Sequence, residues 1–142
     1  MELELDNRLI DILQPDNNDI IVLTAENIHC TNNKLISNLE NVINTLGNDS
    51  ARVKFFFNIK AQSLKGSITN WSKFLLTDQK IFLKLDGNKA IGFIKIGVKK
   101  LFFWNEMNKI KELKPLCLLD FYVNENYQRN GFGKVSYFFY LF

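Results

Sequence analysis

The stretch PLCLLDFYVNENYQRNGFG, residues 115–133, does most to limit what this chain can fold into. Its first part, PLCLLDFYV, is an apolar run too short for most helices, and it reads as a central strand buried on both faces. Its last part, QRNGFG at 128–133, is a glycine turn that leads out of the strand. Gly131 and Gly133 leave backbone N–H groups bare, and a helix starting there would turn its positive end toward an anion. Arg129 adds a planar cation suited to phosphate. A strand feeding such a turn is one way an α/β layer holds a pyrophosphate. On its own a G-x-G turn is also a common structural device, so its context has to carry any functional reading.

The context is a mixed α/β pattern. The run 20–24 in DIIVLTAENI is β-branched and reads as a strand. In NKLISNLENVINTLG, Leu35, Ile36, Leu39, Val42, Ile43 and Leu46 recur at helical spacing, with Asn32 or Asn33 to cap the start and Gly47 to end it. AQSLKGSITNWSKFLL reads as a second, weaker helix with Leu64, Ile68, Trp71 and Leu75 on one face; Gly66 inside it costs about 1 kcal/mol relative to alanine. KIFLKLDGNKAIGFIKIGVKKLFF reads as two strands about Asp86-Gly87-Asn88, which is hairpin chemistry. PDNNDI, CTNNK and EMNKIKELK read as polar loops.

With 142 residues, 46% apolar and 23% charged, the chain has the length and balance of one globular domain. A net charge of +3 is too small to argue for nucleic acid and suits an acidic partner surface only weakly. Cys30 and Cys117 make neither a disulfide framework nor a metal-ligand set, so a reducing cytosolic compartment and no metal are expected. The acidic start MELELDNRLIDIL is not a signal peptide, and no apolar run approaches the roughly 20 residues that span a bilayer. Asp120 is the residue that physics alone singles out. A carboxylate inside an apolar strand is costly unless it is paired, and both a structural pairing and an active-site role fit it.

The pattern Q/R-x-x-G-x-G/A after a central strand resembles the acyl-CoA signature of the GNAT superfamily of N-acyltransferases. PLCLLDFYVNENYQRNGFGK, AIGFIKIGVKKLF and the spaced set LG, SA, AQSL and IT resemble, in the same order, the corresponding blocks of the α-tubulin N-acetyltransferase family. The resemblance covers most of residues 35–134. It implies a GNAT-type α/β fold, a mixed central sheet flanked by helices. It implies acetyl-CoA as donor and, as acceptor, the ε-amine of a luminal lysine of α-tubulin in microtubules. Such a protein works in the cytoplasm on the cytoskeleton, cilia included, without nucleic acid or membrane as partner.

By position, the resemblance implies that Phe121, Tyr122, Val123, Asn124, Glu125, Asn126, Tyr127, Gln128, Arg129, Asn130, Gly131, Phe132, Gly133 and Lys134 hold acetyl-CoA. The pantetheine would lie along the central strand like an added strand, with the pyrophosphate on the QRNGFGK amides. Gln62, Cys117 and Asp120 fall on the catalytic positions. Each has a plainer reading: Gln62 as a helix-surface amide, Cys117 as a small buried hydrophobe, Asp120 as a paired core carboxylate. The family often carries histidines where this chain has Asn124, Asn130 and Phe132, changes that backbone binding of a pyrophosphate tolerates. The reaction needs a base, because a free lysine with a pKa of about 10.4 is neutral at pH 7 in only about one molecule in a few thousand, equivalent to about 4.6 kcal/mol. A carboxylate, directly or through water, would take the proton.

Two stretches fall outside the family pattern, VKFFFNIK at 53–60 and VSYFFYLF at 135–142. Both begin with valine and are rich in phenylalanine, and codons for Val-Lys and Val-Ser can spell intron starts. They read as an insertion and a divergent tail, with translated introns as the expected origin. The expectation for 1–142 is then one partial N-acetyltransferase domain, lacking a family aspartate that lies downstream of the glycine turn and inactive on tubulin as written. The alternatives are an inactive fragment that keeps a tubulin-facing surface through Lys99, Lys100 and the second helix, or a GNAT enzyme with another amine substrate. PLCLLDFY and AIGFIKIGVKKLF argue against the latter, since a generic GNAT would share only the glycine turn.

Overall fold

The computed structural model describes residues 3–29, 31–57 and 66–128. Along them run helix α1 (Asn7–Leu13), strand β1 (Ile20–Leu23), and helices α2 (Ala25–His29), α3 (Asn33–Phe57) and α4 (Trp71–Phe74). Strands β2 (Lys80–Asp86), β3 (Lys89–Val98), β4 (Leu101–Trp104), β5 (Ile110–Leu113) and β6 (Leu116–Val123) follow, then a single 3₁₀ turn, Glu125–Tyr127. One sheet has the order β1-β2-β3-β6, and β4 and β5 form a separate pair. The α/β class expected from the sequence is borne out, and every strand pairing among the described residues is antiparallel.

The β2–β3 hairpin turns at Gly87-Asn88, where Gly87 takes a φ of 62°, open to glycine without strain. Leu35, Leu39, Val42, Ile43 and Leu46 of α3 are buried in one cluster with Ile21, Leu23, Ile81, Leu83, Phe93 and Tyr122 of the sheet. Ile36 is only partly buried at its margin. β1 ends one residue before the expected Thr24 because that residue starts α2: the Asn27 amide donates to Thr24 Oγ1 at 3.1 Å, and the Thr24 amide donates to Asn27 Oδ1 at 2.9 Å. Among the described residues no helix is long and apolar enough to cross a membrane.

Four elements differ from the sequence reading. Helix α3 does not stop at Gly47 but runs on to Phe57. A Cβ at Gly47 would stand 2.1 Å from the Thr69 carbonyl oxygen, so the glycine serves close approach of two backbones and not a helix end. Of the segment 53–60, residues 53–57 continue α3, with Val53 packed against the core; 58–60 and 135–142 lie outside the described residues, as does Cys30.

Of the second helix, the described residues show only α4. Gly66 has a φ of 114°, and helix resumes only after Asn70, whose side chain caps the Lys73 amide at 3.2 Å. EMNKIKELK is not wholly a loop, since Ile110–Leu113 pair with Leu101–Trp104. Asn105 Oδ1 accepts the amides of Met107 (3.0 Å) and Lys109 (2.9 Å) and folds the connection, while Asn108 takes the left-handed conformation at φ 55°. Finally, β6 is not buried on both faces. Among the described residues its one strand neighbour is β3, and Leu116, Leu118 and Phe121 are exposed while Asp120 and Tyr122 are buried.

Candidate functional site

The site is built on β6. Residues two apart on a strand share a face and residues three apart do not, so a regular strand would turn Cys117 and Asp120 to opposite sides. β6 is not regular. Cys117 is paired with Gly97 and Asp120 with Lys95, with a register shift between Lys95 and Ile96 that leaves Leu119 as the extra residue. Gly97 and Lys95 share a face of β3, so this β-bulge brings Cys117 and Asp120 to the same side. Cys117 is half-buried, its Sγ 3.5 Å from the Pro115 carbonyl oxygen.

Asp120 is 3% exposed, and its carboxylate is held from two distant parts of the chain. Ser50 Oγ on α3 donates to Oδ1 at 2.9 Å. Thr69 Oγ1, just before α4, donates to Oδ2 at 2.5 Å. Ser50 and Thr69 are each 1% exposed. The Phe121 amide also donates to Oδ1, at 2.9 Å. Thr69 itself is fixed from several sides: Gly47 abuts its carbonyl, Lys95 Nζ donates to the Ile68 carbonyl at 2.9 Å, and the Trp71 amide donates to Asn44 Oδ1 at 2.9 Å. Sequence reasoning required partners for a buried Asp120 but had no signal for which ones. Ser50 sits in a helix tail that was expected to have ended, and Thr69 just before the start of α4, where helix was expected.

The outer edge of β6 is the second part of the site. The Asn124 amide donates to the Ile91 carbonyl at 2.7 Å, which fixes the alternation of backbone groups along the strand. Tyr122 therefore turns its N–H and C=O toward β3, while Phe121 and Val123 turn theirs to the outer edge, where no described strand pairs. Two of those edge groups are engaged: the Phe121 N–H by Asp120 and the Val123 C=O by Gln128 Nε2 at 2.8 Å. The strand ends at Asn124, whose side chain accepts the Asn126 amide at 2.9 Å and opens the 3₁₀ turn. Of the expected acetyl-CoA residues, 121–128 thus form one continuous edge and turn. Arg129, Asn130, Gly131, Phe132, Gly133 and Lys134 lie outside the described residues, and so does Gln62.

A cavity of about 240 Å³ opens beside the bulged Leu119, between α4 and β3. Lys73, Lys95 and Lys99 line it, walls that favour an anion over an ammonium group. A second cavity of about 260 Å³ lies against Tyr122, with Asp49, Arg52 and Glu125 around it. Burial, with the charges of Asp49 and Glu125 adding to it, pushes the Tyr122 phenol above its ordinary value. A raised folded-state pKa contributes stability that is present below the unfolded value of about 10 and lost as pH rises through the folded value. The melting temperature should therefore fall as pH rises past that point, and Tyr122→Phe should flatten the fall. Parallel alkaline melting curves for the two proteins would show that Tyr122 does not titrate in this way.

The bulged strand β6, with β3 as its strand neighbour among the described residues and α3 across one face, is the candidate site. The family description "GNAT acetyltransferase, Mec-17" matches residues 8–141, and the chain belongs to that family. It is 46% identical over 99 residues to an α-tubulin N-acetyltransferase of Tetrahymena thermophila, a match covering 70% of this chain and 23% of the relative. To the α-tubulin N-acetyltransferase of Trichoplax adhaerens it is 36% identical over 110 residues, covering 73% of this chain and 46% of the relative. To α-tubulin N-acetyltransferase 1 of Danio rerio it is 39% identical over 88 residues, covering 58% and 30%. The chain spans less than half the length of these relatives.

Proposed function

We propose that the protein transfers the acetyl group of acetyl-CoA to a lysine ε-amine of α-tubulin in microtubules, the luminal lysine of the family resemblance. That places its work in the cytoplasm on the cytoskeleton, cilia included. The observation that carries the reading is the outer edge of β6, where the Phe121 C=O and the Val123 N–H point away from the sheet two residues apart, beside the bulge that gathers Cys117 and Asp120. A pantetheine amide can bond such an edge as an added strand does. Acetyl-CoA supplies a thioester carbonyl to the attacking amine. The amine nitrogen forms the new C–N bond, the C–S bond breaks, the thiolate leaves, and the amine proton passes to a base. On this reading 121–128 seat the pantetheine, Arg129, Asn130, Gly131, Phe132, Gly133 and Lys134 seat the pyrophosphate, Gln62 and Cys117 flank the reacting end, and the buried Asp120 supports it from behind.

The acceptor side has its own support in the β4–β5 hairpin. Both strands are exposed along their whole length, with Phe102 66% and Trp104 69% exposed. A two-stranded hairpin with water on both faces is marginal alone, and exposed aromatics gain most when a partner covers them. Residues 99–114 hold five lysines, Lys99, Lys100, Lys109, Lys111 and Lys114, against two glutamates, Glu106 and Glu112. That balance suits an acidic protein surface. The double variant Phe102→Ala/Trp104→Ala should raise KM for microtubules about 30-fold, the loss of one interface hot spot of about 2 kcal/mol, with the affinity for acetyl-CoA unmoved. The test is transfer of labelled acetyl from acetyl-CoA to assembled microtubules. Label on α-tubulin that falls with the hairpin variant supports the reading. Equal labelling of unrelated amines would refute it in favour of a GNAT with another acceptor, and no labelling of tubulin by the chain as written would match the inactive partial domain expected from the sequence.

A further inference from the structure

The carboxylate of Asp120 has an arrangement that a proton acceptor does not need. A general base must come within hydrogen-bond reach of the amine, directly or through one water. Asp120 is 3% exposed and lies on the sheet face that α3 covers. Oδ2 takes the Thr69 hydroxyl, and Oδ1 takes the Ser50 hydroxyl and the Phe121 amide. These donors come from α3, from the segment before α4 and from β6 itself, so the carboxylate ties three elements together at the bulge.

We infer that Asp120 is a positioning residue that sets the cofactor-binding edge of β6, and that Ser50 and Thr69 are the side chains that aim it. The inference rests on the proposed acetyl-CoA function and deepens it. By engaging the Phe121 N–H, Asp120 removes one donor from the outer edge, and Gln128 removes one acceptor, the Val123 C=O. The edge then offers the Phe121 C=O and the Val123 N–H, one acceptor and one donor. That matches one N–H and one C=O taken from the two successive amides of pantetheine in one register, since the N–H and C=O of a single trans amide point opposite ways. Without the clamp, the Phe121 N–H and the Val123 C=O would offer competing registers, and the reacting carbonyl would slide relative to Cys117. The bulge would also lose its anchor to α3, since Ser50 and Thr69 hold Asp120 across 70 and 51 residues of sequence.

The experiment compares Thr69→Val, which keeps the shape and loses the hydroxyl, with Thr69→Ser, which keeps it, and with Asp120→Asn. Four quantities are read in the full chain: hydrogen exchange of the Phe121 amide, the Kd for acetyl-CoA, and kcat and KM across pH. Thr69→Val is expected to speed Phe121 exchange and to raise Kd and KM for acetyl-CoA about tenfold, or about 1.4 kcal/mol. The loss should fall on KM and not on kcat, and Thr69→Ser should recover most of it. Asp120→Asn should keep the limbs of the wild-type pH–rate profile. Loss of the basic-form limb in Asp120→Asn, with Kd unchanged, would make Asp120 the base and overturn the inference. So would a Thr69→Val protein that melts earlier but binds acetyl-CoA normally. A wild-type protein that fails to bind acetyl-CoA would refute the proposed function, and the Phe121 exchange data would still judge the clamp on their own.

Discussion

Gly47→Ala is expected to lower the melting temperature by about 4–8 °C, although alanine is the better helix former. The added methyl would lie 2.1 Å from the Thr69 carbonyl oxygen and 3.1 Å from its carbonyl carbon. Both atoms are backbone, so no side chain can swing aside, and α3 and the 69–70 segment must move apart. Overpacking of this kind costs about 1–3 kcal/mol, and a rigid backbone contact belongs at the upper end. For a chain of this size each kcal/mol shifts the midpoint by about 2–4 °C. The propensity gain of about 1 kcal/mol for alanine over glycine in a helix works against this and is outweighed. A thermal melt decides it: an unchanged or raised midpoint would mean that α3 does not cross the Thr69 backbone as described. The same variant should weaken acetyl-CoA binding, because Thr69 carries one of the two hydroxyls that hold Asp120.

Asp120→Ala should be the most destabilising truncation at the site, by about 3–5 kcal/mol. The change leaves the hydroxyls of Ser50 and Thr69 buried with their acceptor gone, each at about 1–3 kcal/mol. It also leaves a void beside Leu119. Asp120→Asn keeps an oxygen for one of the two hydroxyls and should cost less than half as much. Chemical unfolding of the three proteins reads the difference directly. Equal stability of wild type and Asp120→Ala would show that the hydroxyl contacts contribute nothing to the fold. A loss of this size would be a large share of the 5–15 kcal/mol that holds a typical domain together.

Local signals in the sequence carried far where they had a single physical cause. The DGN turn needed a left-handed glycine and has one at Gly87. The helical spacing of Leu35, Leu39, Val42, Ile43 and Leu46 matches the buried face of α3. Asp120 was legible as a carboxylate that had to be paired, and it is. What failed was non-local. Gly47 looks like a helix end because glycine usually is one there, and only the Thr69 backbone, 22 positions further along, shows why it is not. IKEL has too many charges to read as a strand, yet it pairs with LFFW because Asn105 folds the turn between them. The shared face of Cys117 and Asp120 depends on one extra residue in β6, and strand periodicity alone predicts the opposite. Gln62 and the glycine turn, the residues with the most specific family likeness, lie outside the described residues, so their roles stand on the resemblance.

The central claim is that acetyl-CoA lies along the outer edge of β6. The measurement that tests it most directly is a titration of the ¹⁵N-labelled protein with acetyl-CoA, followed amide by amide. The largest saturable shifts are expected at Val123 and across 121–128, with the amides of β1 and of the β4–β5 hairpin unmoved. Saturable binding that leaves Phe121 and Val123 unperturbed, or no binding at millimolar acetyl-CoA, would contradict the account.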